Sequence, residues 1–367
     1  MDVPPVDFRR KVRRSLLTWF DRCRRDLPWR RNRDPYRIWV SEIMLQQTQV
    51  VTVIPFFIRF LDTFPTLADL AAAAEEDVLR VWEGLGYYRR ARDLHRAARC
   101  ILSEHGGRIP DDATVLAKLP GIGRYTMGAI LSQAFDTRLP ILEANSQRVL
   151  CRLFGRQDDP RHGPARRWLW QMAEVLLPVR RVGAFNQALM ELGALVCTPA
   201  KPRCSLCPIA GLCRARRLGI QEDIPAHGRG PDPVAIQEAG VVVFRGQRVL
   251  LVQRPSRGHW AGLWEFPHGS VEAGESHDQA AARLLRYLTG VTAEIGRELL
   301  TLRHSITHHR ITLVCFQARH QAGRFHSPFY TRGRWVRLTE LALFPVSAPQ
   351  RRLAQTLLQP ERQLCLF

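Results

Sequence analysis

The sequence predicts two domains of different class: an all-α domain over residues 1–220 and an α+β domain over residues 235–360, joined by a linker. With 367 residues the chain is long enough to form two hydrophobic cores. Up to residue 220, apolar residues recur at helical spacing between glycine and proline breaks. The linker, residues 221–234, is rich in proline and glycine, and β-rich runs with glycine turns follow it.

The composition points to a nucleic-acid partner. The net charge is +20 and the isoelectric point about 10.7, which suggests nucleic acid first and an anionic membrane surface second. No run approaches the roughly 18 apolar residues of a spanning helix, so we expect no membrane association. Residues 1–5 lack the apolar stretch of an export signal, and we expect a cytoplasmic, nucleoid-associated protein. Closely spaced cysteines then indicate metal binding rather than disulfides.

The all-α domain opens with an amphipathic helix over residues 7–26. Its arginines predict a solvated face, with phosphate contact as the less favoured alternative, and its apolar positions are Phe8, Val12, Leu16, Phe20 and Cys23. Asp34 and Pro35 then give a start signal for a second helix that includes residues 38–48. Short helices are predicted after it at residues 55–64, 67–74, 76–82, 88–104 and 112–118.

One acidic residue of the second helix, Glu42, stands among apolar side chains such as Trp39 and Ile43. Poor solvation there would raise the carboxyl pKa and keep part of the group protonated near neutrality, as a general acid requires. The alternative is an ion pair with Arg37 or Arg30, in which the carboxylate would be ionised and inert. Spacing alone leaves both possibilities open.

A glycine turn at residues 119–123 precedes a helix that should begin near Arg124. Gly121 and Gly123 can adopt a positive φ, and Pro120 presets the turn. The backbone N–H groups of the turn and the helix N-terminus would then converge on one point, which suits a single phosphate. The alternative is an ordinary tight turn between two helices.

Four closely spaced cysteines predict a metal site, because four thiolates within this window suit a metal or a cluster. The pattern is C-x6-C-x2-C-x5-C, formed by Cys197, Cys204, Cys207 and Cys213. Spacing alone leaves zinc and an iron–sulfur cubane open. The scattered cysteines are expected to be small core or surface residues: Cys23, Cys100, Cys151, Cys315 and Cys365.

The second domain is predicted to be a small α+β domain. The first two strands flank a turn at Arg245 and Gly246. The predicted strands are residues 240–244, 249–252 and 311–317, and the predicted helices lie near residues 278–288 and 349–358.

Two segments resemble one known family. Residues 119–126 closely resemble the helix-hairpin-helix of DNA glycosylases related to endonuclease III, in which that loop grips a DNA phosphate. Strand-cutting members carry a lysine nucleophile after the hairpin arginine, whereas Tyr125 stands here, and a phenol cannot form a Schiff base. Residues 39–48 are similar to the catalytic segment of MutY, so the chain is identified as a member of that adenine DNA glycosylase branch. The resemblance implies base excision repair by a monomer that releases adenine mispaired with 8-oxoguanine or guanine and leaves an uncut abasic site.

The resemblance also implies roles for single residues. Glu42 would protonate adenine, Glu143 would steady the charge that develops on the sugar, and Tyr125 and Asn145 would hold the geometry. The four cysteines would carry a [4Fe–4S] cluster. DNA contacts are expected from Gly121, Gly123, Arg124, Gln47, Tyr87, Trp29 and Arg30. Of the adjacent rings Tyr87 and Tyr88, we expect Tyr88 to be the one in the core.

The motif before the helix that follows the hairpin departs from the family. MutY carries Asp-Gly-Asn there, and this chain carries Glu143, Ala144 and Asn145. Glu143 keeps the charge but places it one methylene further out, and a shift of about 1 Å can cost about 10²-fold in rate. Ala144 also replaces a glycine that could have required a positive φ. Either the backbone has retreated, or the enzyme is slow or altered in substrate.

The second domain contains an incomplete Nudix box. Counted from Gly269, the box keeps Glu275, Arg283, Gly290 and Val291 but carries Leu284, Tyr287 and Leu288 at its three metal-binding glutamates. Such side chains cannot hold Mg²⁺, so hydrolysis of a diphosphate is not expected. The corresponding MutY domain reads 8-oxoguanine through a Phe-Ser-His loop. Its counterpart here is Ile306, Thr307 and His308, and we expect Thr307 and His308 to recognise 8-oxoguanine, the alternative being a polar strand edge.

Two other functions remain open. A mismatch glycosylase for thymine or uracil would fit the change at Glu143 but not Glu42, because those bases have no N7 to protonate. A non-catalytic protein that binds lesions would use the hairpin, the cysteine loop and the second domain without chemistry.

Overall fold

The computed structural model describes residues 3–226 and 231–359, and its internal contacts form two compact units. The first unit contains the described parts of residues 1–72 and 93–229, and the second contains those of residues 73–92 and 230–367. The predicted linker residues 227–230 and Cys365 lie outside the described residues. Within the described chain, no helix has both the length and the apolar composition to cross a membrane.

The chain up to residue 218 forms helices, as predicted for an all-α domain. Among the described residues, eleven α-helices lie in the first unit or reach into it: α1 Val6–Cys23, α2 Pro35–Leu45, α3 Val50–Thr63, α4 Leu67–Ala72, α6 Arg89–Glu104, α7 Ala113–Leu116, α8 Arg124–Phe135, α9 Ala144–Phe154, α10 Gly163–Leu176, α11 Val182–Leu195 and α12 Arg214–Leu218. Helix α12, Arg214–Leu218, follows the cysteine loop, whereas α5, Glu75–Trp82, belongs to the second unit.

Helix α1 packs its apolar face against α9, α10 and α11. Val12, Leu16 and Phe20 are buried, as the spacing predicted, in a core that also contains Leu150, Leu169 and Phe185. Cys23 is exposed at the end of the helix, so its placement on the apolar face was wrong.

Helix α2 is buried along most of its length and packs against α3 and α8. Asp34 caps its N-terminus by accepting the N–H of Tyr36 at 2.9 Å, and Pro35 occupies the first helical position, as the start signal predicted. The helix ends at Leu45, three residues earlier than predicted, because the chain turns at Gln47 with a φ of +57°. Every residue from Ile38 to Met44 is buried.

The second unit is an α+β domain with one seven-stranded sheet. Its elements are β1 Val234–Arg245, β2 Arg248–Gln253, β3 Trp264–Glu265, β4 His268–Ser270, α13 His277–Thr289, β5 Thr292–Ile306, β6 His309–Ala322, β7 Arg332–Arg337 and α14 Ala348–Leu357. The strand order is β3-β2-β1-β6-β5, with β4 on β1 and β7 on β2. Strands β1 and β6 run parallel, from Val234 beside His309 to Phe244 beside Arg319, and the other pairs are antiparallel.

Candidate active site

Glu42 is a buried carboxyl with two neutral hydrogen-bond donors. Its side chain is on α2, the residue is 3% exposed, and both donors come from α8. The Tyr125 hydroxyl donates to Oε2 at 2.6 Å, and the Gln133 amide nitrogen donates to Oε1 at 2.7 Å. Arg30 instead pairs with Glu191 at 3.0 Å. The inert ion pair with Arg30 therefore does not form, and Glu42 has the sheltered environment that a general acid needs.

Burial dominates the electrostatics of this site. It raises the pKa of Glu42, an effect that the two donors oppose and that the negative charge of Glu143 strengthens. Burial also raises the pKa of Glu143 and, well above its usual value, that of Tyr125, on which the charges of Glu42 and Glu143 act as well. The negative charge of Glu143 thus acts on both Glu42 and Tyr125.

Glu143 caps the N-terminus of α9 with its own carboxylate. Oε1 accepts the N–H of Ser146 at 2.7 Å, and Oε2 accepts the N–H of Asn145 at 2.8 Å and its side-chain amide at 3.1 Å. The Ser146 hydroxyl accepts the N–H of Glu143 in return, which completes a capping box. The longer side chain thus folds back onto its own helix. Ala144 is the first helical residue and does not need a positive φ.

A chain of hydrogen bonds joins this carboxylate to the cysteine loop. Asn145 donates to Glu143 and accepts from Arg148 Nη2 at 2.7 Å. The same guanidinium donates from Nη2 to the carbonyl of Gly193 at 2.8 Å and from Nε to the carbonyl of Cys197 at 2.7 Å. Gly193 permits this approach, because a Cβ atom there would lie 2.6 Å from Cβ of Asn145.

The hairpin turn has a positive φ at one of its two glycines. Gly121 has a φ of +73°, and a Cβ atom there would lie 2.7 Å from Cβ of Asp93. Gly123 has a φ of −88° and open space around it, so it does not use the positive φ that a glycine permits. Helix α8 begins at Arg124, as predicted, and no side chain caps its first N–H groups. The Arg124 guanidinium lies 4.0 Å from the centre of the Trp170 ring.

Two of the expected DNA contacts are exposed residues with strained backbones. Gln47 and Tyr87 have φ values of +57° and +48°, which residues other than glycine rarely adopt. Tyr87 is 54% exposed, whereas Tyr88 is buried and its hydroxyl donates to the carbonyl of Val346 at 3.1 Å. The assignment of Tyr88 to the core is therefore confirmed.

Trp29 and Arg30 are held inside the protein. Trp29 is 4% exposed, and its ring meets that of Phe57 edge-on at 5.3 Å. Arg30 bonds to Glu191 and lies over the Phe20 ring. The structure therefore gives Trp29 a packing role and Arg30 an internal partner.

The four cysteines of the C-x6-C-x2-C-x5-C pattern line one cavity. Arg152 lines it as well and donates to Cys197 Sγ at 3.4 Å and to the carbonyls of Thr198 and Pro199 at 2.6 and 2.9 Å. Burial raises the pKa of Cys207 to about 12, and the other three thiols add to this. In the described ranges, no three His, Cys, Asp or Glu side chains are arranged to hold a single metal ion.

The second unit presents Thr307 on a tight turn between β5 and β6. Thr307 is exposed and has a φ of +53°, and its hydroxyl donates to the carbonyl of Ile306 at 2.7 Å. The ring of His308 lies 4.1 Å from that of His309. Both predicted recognition residues are thus at the tip of the hairpin.

The remains of the Nudix box act as a scaffold. Glu275 and Arg283 form a two-point ion pair at 2.8 and 2.7 Å. Leu284 is buried against Gly269, where a Cβ atom would lie 2.8 Å from its methyl group, and Tyr287 is 65% exposed. None of these contacts provides a metal ligand at the three glutamate positions.

Three residues of the site were missed in the sequence. Gln133 is an amide in the apolar run of α8, which was the available signal. Arg148 was missed because its link to the cysteine loop depends on Gly193 and Cys197, which are far away in the chain. Glu191 was missed because its partners Arg25 and Arg30 are also distant.

Comparison with known proteins assigns both domains. Residues 40–174 match the family described as HhH-GPD superfamily base excision DNA repair protein, and residues 239–356 match the NUDIX domain. A rat adenine DNA glycosylase is 36% identical over 96% of this chain and 79% of its own length, and one from Buchnera aphidicola is 42% identical over 69% and 73%. The chain belongs to the adenine DNA glycosylase family. It spans 65% of the human member, to which it is 39% identical.

Solved structures of this family's wider superfamily support the fold of the helical part. A thermostable thymine-DNA glycosylase superposes with a TM-score of 0.53 and 31% identity, covering 58% of this chain and 98% of that protein. An endonuclease III trapped covalently on DNA matches with a TM-score of 0.50 and 21% identity over 57% and 96%, which bears on the fold alone. The predicted all-α glycosylase domain and α+β Nudix-like domain are therefore confirmed.

Proposed function

We propose that this chain releases adenine from DNA by hydrolysing the bond between the base and its sugar. The observation that carries the proposal is a buried carboxyl group, Glu42, on which the charge of the half-buried Glu143 acts, in a protein from the adenine DNA glycosylase family. Paired carboxyl groups, one acid and one base or charge stabiliser, are the usual means of cleaving a glycosidic bond.

The two carboxyl groups have different roles in the proposed reaction. Adenine leaves the duplex stack and enters the site, because a buried acid cannot reach the N7 atom of a base that is still stacked in the duplex. Glu42, protonated through its raised pKa, transfers a proton to N7, and the base leaves with the electron pair of the C1′–N9 bond. The ionised form of Glu143 steadies the cation at C1′. Water adds its hydroxyl to C1′ and releases its second proton to a carboxylate, and the strand stays uncut.

Tyr125 and Asn145 act by holding the two carboxyl groups. Tyr125 donates to Glu42 and has no amine with which to form a Schiff base, so strand cleavage by that route is not expected. Asn145 donates to Glu143 with both its backbone and its side chain, which favours the ionised form.

The DNA substrate is supported by charge and by exposed elements. The chain carries a net charge of +20, and the uncapped N-terminus of α8 with its Gly121 turn suits a backbone phosphate. Gln47 and Tyr87 are exposed and available to enter the base stack, and Arg124 lies beside the turn. We assign chemistry to residues 1–220 and recognition of 8-oxoguanine, or guanine, to residues 235–360 through Thr307 and His308. We further propose that the protein acts as a monomer on nucleoid DNA in the cytoplasm.

The cysteine cavity fits a [4Fe–4S] cluster. Four thiols line one cavity, and in a cubane each cysteine binds a different iron. Cys197, Cys204, Cys207 and Cys213 would hold it, and the Arg152 guanidinium would donate a hydrogen bond to the sulfur of Cys197. A bound cluster would fix the loop that carries these residues.

Single-turnover cleavage of a duplex with adenine opposite 8-oxoguanine tests the proposal. Product should appear only after alkali, because the enzyme leaves an intact abasic strand. Glu42→Gln should lose base release and keep duplex affinity, whereas Glu174→Gln, which changes an exposed glutamate of α10, should behave like the unmodified protein. Tight, salt-sensitive binding without an alkali-labile product would identify a non-catalytic lesion-binding protein instead.

Thymine is the second candidate substrate, because the thymine-DNA glycosylase covers the helical part at 31% identity. Adenine, thymine and uracil opposite guanine and 8-oxoguanine separate the two. Release of thymine or uracil in preference to adenine would contradict the role given to Glu42, since pyrimidines have no N7 atom.

A further inference from the structure

Gln133 reaches the acid of the site from the same helix as Tyr125. The two residues are eight positions apart on α8, a rise of about 12 Å, and their long side chains converge on Glu42 of α2. Gln133 is 8% exposed, and its amide nitrogen lies 2.7 Å from Oε1, whereas the Tyr125 hydroxyl lies 2.6 Å from Oε2. Each oxygen of the carboxyl group therefore has its own donor.

The two donors differ in what they can accept. An amide N–H cannot receive a proton, so it repels a hydrogen on Oε1. The phenol oxygen both donates and accepts, so a hydrogen on Oε2 finds an acceptor in Tyr125 after the hydroxyl rotates. Two other charged groups also act on Glu42: Glu143, the N-cap residue of α9, and Arg30, which lies before α2 and pairs with Glu191.

We propose that Gln133 is a positioning residue for Glu42: its amide keeps Oε1 free of hydrogen and so places the transferable proton on Oε2, beside Tyr125. This inference rests on the proposed function of Glu42 as the acid. It adds to that function the oxygen from which the proton leaves and the residue that selects it. It also explains why a buried amide interrupts the apolar run Ile130, Leu131 and Ala134.

The pH dependence of base release tests the proposal with Gln133→Met, which keeps the length and removes the N–H group. The N–H bond favours the ionised form of Glu42, so its loss raises the pKa of Glu42 and keeps the acid protonated to higher pH. The alkaline limb of the single-turnover rate should move up by about one pH unit. Ser132→Ala is the control, since Ser132 precedes Gln133 on α8 and accepts from Asn186 instead.

Several outcomes decide the matter. A shifted alkaline limb in Gln133→Met, with that of Ser132→Ala unshifted, supports the proposal. A rate loss that is equal at every pH would assign Gln133 a structural role only and overturn it. If the methionine variant does not fold, Gln133→Asn serves, because its shorter amide falls one methylene short of Oε1.

An infrared titration separates this proposal from the proposed function. The difference between the spectra of the protein and its Glu42→Gln variant isolates the carboxyl band of Glu42 without turnover. If adenine is not released but the band titrates at higher pH in Gln133→Met, the proposed adenine release is refuted and the positioning role of Gln133 is supported. A band that titrates at the same pH in both overturns the positioning whatever the activity.

Discussion

Replacing Glu143 by glutamine should separate the contribution of its charge from that of its hydrogen bonds. The glutamine side chain has nearly the same shape and keeps one oxygen to accept the N–H of Ser146 or Asn145 at the start of α9. It loses the negative charge that the proposed reaction uses to steady the cation at C1′. The helix cap should survive, and the chemistry should not.

The size of the effect follows from burial. Two opposite charges about 4 Å apart interact by about 4 kcal/mol at the effective dielectric constant of about 20 that suits such sites. If the whole of this interaction develops in the transition state, the single-turnover rate falls by about 10³-fold. Uracil or thymine release, measured in parallel, should not increase.

The thermal stability of Glu143→Gln should not fall with its rate of base release. Burial raises the pKa of Glu143 above its ordinary value of 4.5, so its stabilising contribution is complete below pH 4.5 and is lost as the pH rises through the raised pKa. Glu143→Gln carries no charge to bury. Its melting temperature should therefore equal or exceed that of the unmodified protein at pH 7 and lose this advantage near pH 4. Thermal denaturation followed at several pH values measures this.

Glu275→Gln is the control, because the stability that its carboxylate contributes changes with pH in the opposite direction. The Arg283 guanidinium lowers the pKa of Glu275 to about 2, so this carboxylate stabilises the fold above pH 4.5 and loses that contribution as the pH falls towards 2. The variant should be less stable at pH 7 and release adenine at the normal rate. Retention of activity within about threefold in Glu143→Gln, a change of under 1 kcal/mol, would refute the role of its charge.

Three further changes test other parts of the structure. Gly121→Ala should weaken duplex binding by about 10-fold, about 1.4 kcal/mol, because the turn cannot keep its positive φ, whereas Gly123→Ala should bind normally in a filter assay. Arg351→Met removes a two-point ion pair and two carbonyl contacts, so it should lower the melting temperature of the second unit by several degrees in calorimetry. Arg152→Met should reduce bound iron and sulfide, because its guanidinium supports Cys197 and the loop carbonyls, and chemical analysis of the purified protein measures both.

Local signals predicted the helices well. The start of α2 was readable because Asp34 and Pro35 act within the first turn and need no distant partner. Its end was not, since the turn at Gln47 requires a positive φ that no local residue type announces. The burial of Glu42 was foreseeable from its apolar neighbours, but its donors on α8 come from residues 83 and 91 positions away.

The second unit shows where periodicity fails. Strand β5, Thr292–Ile306, was not predicted, because it is half exposed and carries irregularities near Ile295 and Glu298 that break the alternation of buried and exposed residues. Strand β7, Arg332–Arg337, has three arginines, and its place in the sheet depends on pairing with β2, more than 70 residues earlier. Strand β6, with alternating burial over Ile311 to Cys315, was recognised.

The exchange of Asp-Gly for Glu143 and Ala144 becomes intelligible in this structure. An aspartate at an N-cap reaches the N–H groups of its helix with an extended side chain, and a glutamate must fold back to do the same. Glu143 folds back and meets three donors, so its side-chain conformation accommodates the extra methylene at the cap. Each oxygen then has fewer lone pairs left for the sugar or a water molecule. We therefore expect the exchange to reduce the stabilisation that the charge of Glu143 gives the transition state. The single-turnover rate of Glu143→Gln measures how much of that stabilisation remains.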